Sequence, residues 1–289
     1  MKYIVKAHIN EQLAKDYLKR HEGISSTLWK KIKREDNFWL NGIKVRASQA
    51  KVKPNDVIEY HISTTSNVVP IKMNLDIIYE DEYLIIVNKP AGMLTHPLTF
   101  ESTQTLANGV MYHFMQTNQQ LGCHPLYRLD RNTSGLVIFA KAPQLQHQLA
   151  NNHQKLQRFY YAIVHGKFDT DNQEGKINAP IGRQQDSIIL HEVNNEGKTA
   201  ITNYRVIKEF KDYSLVELWL ETGRTHQIRV HMSYLNHSLL GDDLYGGKLD
   251  LISRQALHAY KLKFIHPFTK EELCFSCPLP DDMNKILKY

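Results

Sequence analysis

Asp130 lies between two guanidinium groups in the run Tyr127-Arg128-Leu129-Asp130-Arg131-Asn132-Thr133-Ser134-Gly135. A nearby positive charge lowers the cost of keeping a carboxylate ionised in a protected cleft, and an ionised carboxylate is a nucleophile. Asp130 is therefore the leading candidate for a chemical centre. Asn132, Thr133, Ser134 and Gly135 form a turn-rich stretch, and Leu136-Val137-Ile138-Phe139-Ala140 behind them reads as a buried strand. That places Asp130 on a loop braced by a rigid element. On spacing alone, a surface Arg-Asp-Arg ion cluster is the more ordinary reading. What overturns it lies elsewhere in the chain.

Four further segments share one character, with small, basic or aromatic residues at the ends of apolar strands. The first is Asn88-Lys89-Pro90-Ala91-Gly92-Met93-Leu94-Thr95-His96-Pro97, and the second is Arg158-Phe159-Tyr160-Tyr161-Ala162-Ile163-Val164-His165-Gly166. The third is Thr222-Gly223-Arg224-Thr225-His226-Gln227-Ile228-Arg229-Val230-His231, continuing to Leu240-Gly241-Asp242-Asp243-Leu244-Tyr245-Gly246. The fourth is Arg254-Gln255-Ala256-Leu257-His258-Ala259, ahead of Phe264-Ile265-His266-Pro267. Alternation along an expected strand puts Arg229 on one face with Gln227 and His231. Lys89, at the end of an apolar strand, reads either as a phosphate or site contact or as a plain surface lysine.

A metal centre is a weak reading. His226 and His231 are five apart, which puts them on opposite faces of a strand and poorly together on a helix. Cys274-Phe275-Ser276-Cys277 has no second pair, and alternating Leu273, Phe275 and Cys277 read as strand core. Three cysteines, Cys123, Cys274 and Cys277, argue against a disulfide framework. No apolar run approaches the roughly 18 residues of a membrane span, and the opening residues lack a signal-peptide core, so a cytoplasmic location is expected.

The net charge of +6 is localised. Residues 1–62 hold 13 Lys and Arg against 7 Asp and Glu, and the remainder is neutral. Such asymmetry points to a basic appendage that meets a polyanion. Leu13, Tyr17 and Leu18 recur at helical spacing between residues 10 and 20, and a second helix is expected to start at Ser25 or Ser26. Its Leu28, Trp29 and Ile32 can face inward, which spreads Lys30, Lys31, Lys33 and Arg34 over the outer side. Asn41-Gly42 between Phe38-Trp39-Leu40 and Ile43-Lys44-Val45 is a strong hairpin signal, and Val57-Ile58-Glu59-Tyr60 follows the turn Pro54-Asn55-Asp56 as a strand. This order over residues 10–60 resembles the S-four-type RNA-binding module named after a ribosomal protein. The competing reading is a solvated basic face without a ligand.

The expected organisation is an RNA-binding domain over residues 1–62, a linker over 63–74, and a second domain over 75–289. That domain opens with a hairpin, Leu75-Asp76-Ile77-Ile78-Tyr79 and Leu84-Ile85-Ile86-Val87, around Glu80-Asp81-Glu82. Helices are expected at 103–115 and 144–153, and strands at 160–164, 202–207, 214–220 and near the C-terminus. Many strands with few helices, out of strict alternation, favour a mixed, mainly antiparallel α+β fold.

The run from Arg128 to Gly135 matches the Arg-Leu-Asp-x-x-Thr-Ser-Gly hallmark of the RluA-type pseudouridine synthases, and the four segments follow that family's order. Over residues 75–280 the chain closely resembles this family. The resemblance implies isomerisation of a chosen uridine in RNA to pseudouridine, with no metal and no nucleotide cofactor. It implies that Asp130 is the essential carboxylate, attacking or deprotonating the ribose side as the glycosidic bond breaks. Tyr160 corresponds to the aromatic that stacks on the base, and Arg229 to the basic partner of the carboxylate. Arg128 resembles the arginine that enters the space left by a flipped base. Arg224 is the rival ionic partner and a candidate phosphate contact. The family commonly has His where this chain has Tyr127, and His124 lies three residues earlier without aligning to it. The implied partner is structured RNA, ribosomal first and transfer RNA second, bound by a monomer. The alternative is an inactive RNA-binding or ribosome-assembly factor on the same fold.

Overall fold

The computed structural model describes residues 1–62, 68–97, 104–142, 146, 156–266 and 268–288. The chain begins with β1 (Lys2–Ile4), β2 (Gln12–Leu13), α1 (Ala14–His21), α2 (Ser26–Glu35), β3 (Phe38–Leu40), β4 (Ile43–Lys44), β5 (Lys51–Val52) and β6 (Val57–Tyr60). Strands β1, β6, β3 and β4 form one sheet in that order, and β2 pairs with β5. Ser25 caps α2 by accepting the Leu28 amide at 3.0 Å, which satisfies one of the free donors of the first turn. Leu28, Trp29 and Ile32 of α2 are buried with Tyr17, Leu18 and Phe38, as the spacing predicts. Lys30, Lys33 and Arg34 are exposed, while Lys31 is half-buried beside Glu35. Asn41 and Gly42 have φ of 50° and 80°, the positive pair that a tight primed hairpin turn demands. Strands β1, β2 and β5 have no counterpart in the sequence reading, because two or three residues show no alternation.

The remaining elements are β7 (Asp76–Glu80), β8 (Leu84–Lys89), α3 (Leu106–Gln116), β9 (His124–Pro125), β10 (Ser134–Ala140), β11 (Leu156–His165), β12 (Glu174–Asn178), β13 (Ile181–Arg183) and β14 (His191–Val193). They continue with β15 (Ile201–Glu209), β16 (Tyr213–Leu220), α4 (Gln227–Tyr234), β17 (Leu257–Ile265), β18 (Glu272–Ser276) and α5 (Asp281–Ile286). Among the described residues a ten-stranded sheet runs β12-β15-β16-β11-β17-β10-β8-β7, with β18 on β17 and β9 on β10. Every pairing in it is antiparallel except β10 with β17. The fold is thus mixed α+β with a mainly antiparallel sheet. One core packs Val87, Val137, Phe139, Ala162 and Leu218 against Val110 and Phe114 of α3 and Ile228 and Met232 of α4.

Gly135 permits the one parallel junction. Its φ is +115°, and a Cβ there would fall 2.3 Å from the Ala259 carbonyl oxygen across the β10–β17 pair. Only glycine lets the two backbones approach this closely.

Two expectations need correction and one falls outside view. The segment 227–231 is helical, within α4, and is not a strand. Ile228, Val230 and Met232 alternate as strand residues do, but all six residues from Gln227 to Met232 are buried. A helix buried on every side shows no amphipathic period, so alternation misleads. The linker expected over 63–74 is also too long. Val68 is buried in the large core, the Val69 carbonyl accepts from Asn108 Nδ2 at 2.8 Å, and the Ile71 amide donates to the Asn108 carbonyl at 3.1 Å. Residues 63–67 lie outside the described residues, as does the helix expected at 144–153 apart from Gln146. No helix among the described residues is long and apolar enough to cross a membrane.

Candidate active site

The Asp130 loop is held along its whole length by side chains of other segments. Thr95 Oγ1 donates to the Leu129 carbonyl at 3.1 Å and accepts the Leu129 amide at 3.2 Å. Lys89 Nζ donates to the carbonyls of Pro90, Met93 and Arg131 at 2.9, 2.8 and 3.0 Å. Arg254 Nη1 donates to the Asn132 carbonyl at 3.1 Å, and Gln255 Nε2 donates to Thr133 Oγ1 at 3.2 Å. The Thr133 amide closes the turn on the Asp130 carbonyl at 3.1 Å. Such bracing pre-organises a functional side chain without spending binding energy on ordering it.

Lys89 therefore corrects the sequence reading. It is fully buried and spends three donors on loop carbonyls, so it is neither a phosphate contact nor a surface lysine, and touches the site only by holding the Asp130 loop. Burial pushes its ammonium down to about 7, against the opposing pull of Asp130.

Asp130 opens onto a cleft of about 990 Å³ also lined by Arg128, Arg158, Tyr160, Arg224, His226 and Arg229. Its carboxylate accepts from Arg229 Nη1 at 3.3 Å. Arg131 turns away, its Nε donating to the Gly92 carbonyl at 3.1 Å, and Arg128 is exposed on the cleft wall. Arg224 donates through Nε to the Thr199 carbonyl at 2.9 Å and leaves Asp130 to Arg229. Arg229, and not Arg224, stands at Asp130, although the strand alternation used to prefer it does not exist: on α4, Gln227 and His231 both reach Thr202 while Arg229 faces Asp130 and Asp242.

Arg229 is itself aimed by a residue to which the sequence reading assigned no role. Asp242, buried, accepts from Arg229 Nε at 2.7 Å and Nη2 at 2.6 Å. Burial alone would lower the Arg229 pKa, but the hydrogen bonds and charge of Asp242, with Asp130 behind them, raise it. The guanidinium thus stays charged while it faces Asp130.

Tyr160, on β11, is 4% exposed and lines the same cleft. Burial pushes its phenol up, Arg158 pulls it down and Asp130 adds to the rise, so the hydroxyl is protonated at neutral pH. His226 completes the group. It is held at φ 55° at the start of α4, with Nδ1 2.8 Å from the Tyr245 hydroxyl and Nε2 3.9 Å from Asp130. Burial lowers its pKa, against the pull of Asp130. A bulky residue in the left-handed region costs free energy that surrounding structure must offset, and such positions gather at functional sites. No sequence pattern marks His226, because positive φ is a tertiary outcome here. Among the described residues no group of three or more His, Cys, Asp or Glu could hold a metal ion.

A paired carboxylate and guanidinium stand beside a buried tyrosine in a cleft that opens between the Asp130 loop and α4. The model of the family described as RNA pseudouridylate synthase matches residues 83–234, a span that includes Asp130, Tyr160 and Arg229. The chain belongs to that family.

The RNA pseudouridine synthase YjbO of Bacillus subtilis is 44% identical over 233 residues, covering 80% of this chain and 81% of the relative. The large ribosomal subunit pseudouridine synthase D of Vibrio cholerae is 38% identical over 270 residues, covering 87% and 82%. Among solved structures, human RNA pseudouridylate synthase domain containing 4 aligns with a TM-score of 0.59 and 25% identity over 73% of this chain and 91% of that one. As a pseudouridine synthase the protein is an RNA-modifying isomerase.

Proposed function

We propose that this synthase isomerises uridine in structured RNA, ribosomal RNA first and transfer RNA second, with Asp130, Tyr160 and Arg229 as its working residues. The observation that carries the assignment is the 3.3 Å contact of Arg229 Nη1 with Asp130 in the cleft lined by Tyr160. In the isomerisation the bond between uracil N1 and the ribose anomeric carbon breaks, the uracil turns, and its C5 bonds to that carbon. The C5 hydrogen leaves as a proton and N1 takes one up, so the product is an isomer of the substrate. No electrons are gained or lost overall, so the reaction calls for no redox cofactor.

Asp130 acts on the ribose side as the glycosidic bond breaks, and Arg229 sets a positive charge beside it without tying up both oxygens. Tyr160 lies against the detached base, where stacking worth roughly 1 to 3 kcal/mol retains it. The target base must leave its stack at a cost of a few kcal/mol. Arg128, exposed at the cleft wall, is suited to fill the space it vacates, because a planar guanidinium stacks on bases and meets phosphate. Arg224 supplies a phosphate contact nearby. Lys30, Lys31, Lys33 and Arg34 on α2 form the basic face of an S-four-type module that grips structured RNA.

Ribosomal RNA is favoured by the Vibrio cholerae relative, which is named for the large ribosomal subunit. A cytoplasmic monomer is the form expected to act. The test is tritium release from C5 of labelled uridine in RNA transcripts. Wild-type protein should release tritium from a ribosomal transcript, and Asp130→Asn should release none while binding the transcript normally. Turnover by Asp130→Asn would refute the assignment of Asp130.

A further inference from the structure

Arg158 is set apart from the buried arginines of the molecule. Arg229 and Arg254 each meet a carboxylate, Asp242 and Asp282 respectively, as even the exposed Arg205 does at Glu217. Arg158 lines the active cleft and has no carboxylate partner among the described residues. Glu221, on the same cleft wall, instead meets Lys176 and Asn203. Of the Arg158 donors, Nη2 reaches the Thr222 carbonyl at 3.2 Å, while the buried Nε meets no acceptor. A half-buried cation with most of its donors unspent is costly unless something else takes it up.

We infer that Arg158 is a further RNA-binding residue of the cleft, taking a backbone phosphate beside the target uridine, and that Tyr127 is the shelf that holds its guanidinium there. This rests on the proposed function above. Arg158 and Tyr160 are two apart on β11 and both line the cleft. Two strand residues span about 7 Å, so a group adjacent to the base held by Tyr160 falls to Arg158. A planar guanidinium offers a phosphate paired donors, which a lysine cannot.

The position of that guanidinium is specified from two directions. Its Cζ lies 5.1 Å from the centroid of the Tyr127 ring, and the Tyr127 hydroxyl is anchored by donation to the Leu136 carbonyl at 2.9 Å. At Gly223 an added Cβ would stand 3.2 Å from both Nη1 and Nη2, so a residue without a side chain leaves the group its room. Tyr127 stands where the family commonly has His. It is half-buried, its hydroxyl is committed to the Leu136 carbonyl, and burial pushes its pKa well up, so it keeps its proton and supports a cation.

The test uses full-length protein and a large-subunit ribosomal RNA transcript. Binding is measured as a function of salt in the Asp130→Asn background with and without Arg158→Gln, and KM and kcat for tritium release are measured with Asp130 intact. Arg158→Gln should raise KM about tenfold with a much smaller effect on kcat, and lower the slope of log affinity against log salt by roughly 0.7 to 0.9. Arg158→Lys should keep the salt slope and recover part of the KM. Tyr127→Leu, which retains apolar bulk without the π face, should raise KM in the same direction. An unchanged KM and salt slope in Arg158→Gln would overturn the phosphate assignment, and an unchanged KM in Tyr127→Leu would overturn the shelf. Absence of tritium release by the wild type would instead strike the proposed function, and the salt slope would still report on Arg158.

Discussion

Arg229 meets Asp242 with two nitrogens, Nε and Nη2 at 2.7 and 2.6 Å, and turns its third, Nη1, to Asp130 at 3.3 Å. The short two-pronged contact is to a carboxylate with no exposed surface, and the long single contact is to one that is 28% exposed. Asp242 therefore fixes the guanidinium plane, and Asp130 keeps one oxygen for chemistry. The stack of the guanidinium on the Tyr245 ring, 4.9 Å to its centroid, holds the same plane from another side.

Removing the aiming carboxylate should cost rate more than binding. Asp242→Asn retains size but loses the ion pair, so kcat for tritium release should fall by roughly ten- to a hundredfold while KM moves little. Asp242→Ala leaves the buried Arg229 with only its long contact to Asp130, and should lower the urea-denaturation stability by up to about 3 to 5 kcal/mol. A wild-type kcat in Asp242→Asn would show that Asp130 needs no aimed partner.

Lys89 gives a second rate effect at a residue that never meets RNA. Lys89→Met keeps an apolar stem of similar length but leaves the carbonyls of Pro90, Met93 and Arg131 without their donor. Each buried unsatisfied group costs about 1 to 3 kcal/mol, so the Asp130 loop should loosen, with kcat at least about tenfold lower and the salt dependence of RNA binding unaltered. A reduced salt slope would mean that Lys89 reaches phosphate after all.

These two residues also show what the sequence could and could not disclose. Asp130, Tyr160 and Arg229 could be singled out because the segments that carry them follow a family's order, and the structure brings all three to one cleft. The β10 strand and the Asn41-Gly42 hairpin were legible because alternation, continuous apolar runs and positive-φ turns are local. Lys89 was left open between a phosphate or site contact and a surface lysine because its three acceptors lie on two separate loops. Residues 227–231 were misread because a helical stretch buried all round carries no period. Asp242 and His226 were missed for one reason: their roles come from α4 packing against the loop that follows it, a contact that spacing does not encode.

The basic face of α2 should govern the electrostatics of binding. Lys30, Lys33 and Arg34 are exposed and the helix is anchored independently by Leu28, Trp29 and Ile32, so a triple change to Gln should leave the fold intact. If each cation neutralises one phosphate, affinity for a structured transcript should fall, and the salt slope should flatten by roughly 2 to 3. The Asp130–Arg229 pair is untouched, so kcat at saturating RNA should persist. An unaltered slope, measured by filter binding between low and physiological salt, would return this face to plain solvation.

His258 links acid sensitivity to the catalytic loop. It is 1% exposed, with Nδ1 2.9 Å from Ser134 Oγ and Nε2 3.3 Å from Cys277 Sγ, directly behind the Gly135 junction. Burial, helped by Arg254, pushes its pKa down from 6.5 to about 4. Between those values the unfolded chain takes up a proton that the folded one refuses, so stability falls as pH drops from 6.5 towards 4 and is unaffected by this group above that window. At about 1.4 kcal/mol per unit the effect has a ceiling of about 3 kcal/mol. His124, also lowered to about 4 by burial, adds to the same slope. Urea unfolding of wild type and His258→Asn at pH 7 and pH 4.5 separates the two contributions. The variant should be less stable at neutral pH, where the Ser134 contact is lost, yet lose less on acidification. Equal losses on acidification in both proteins would rule His258 out as a source of the pH dependence.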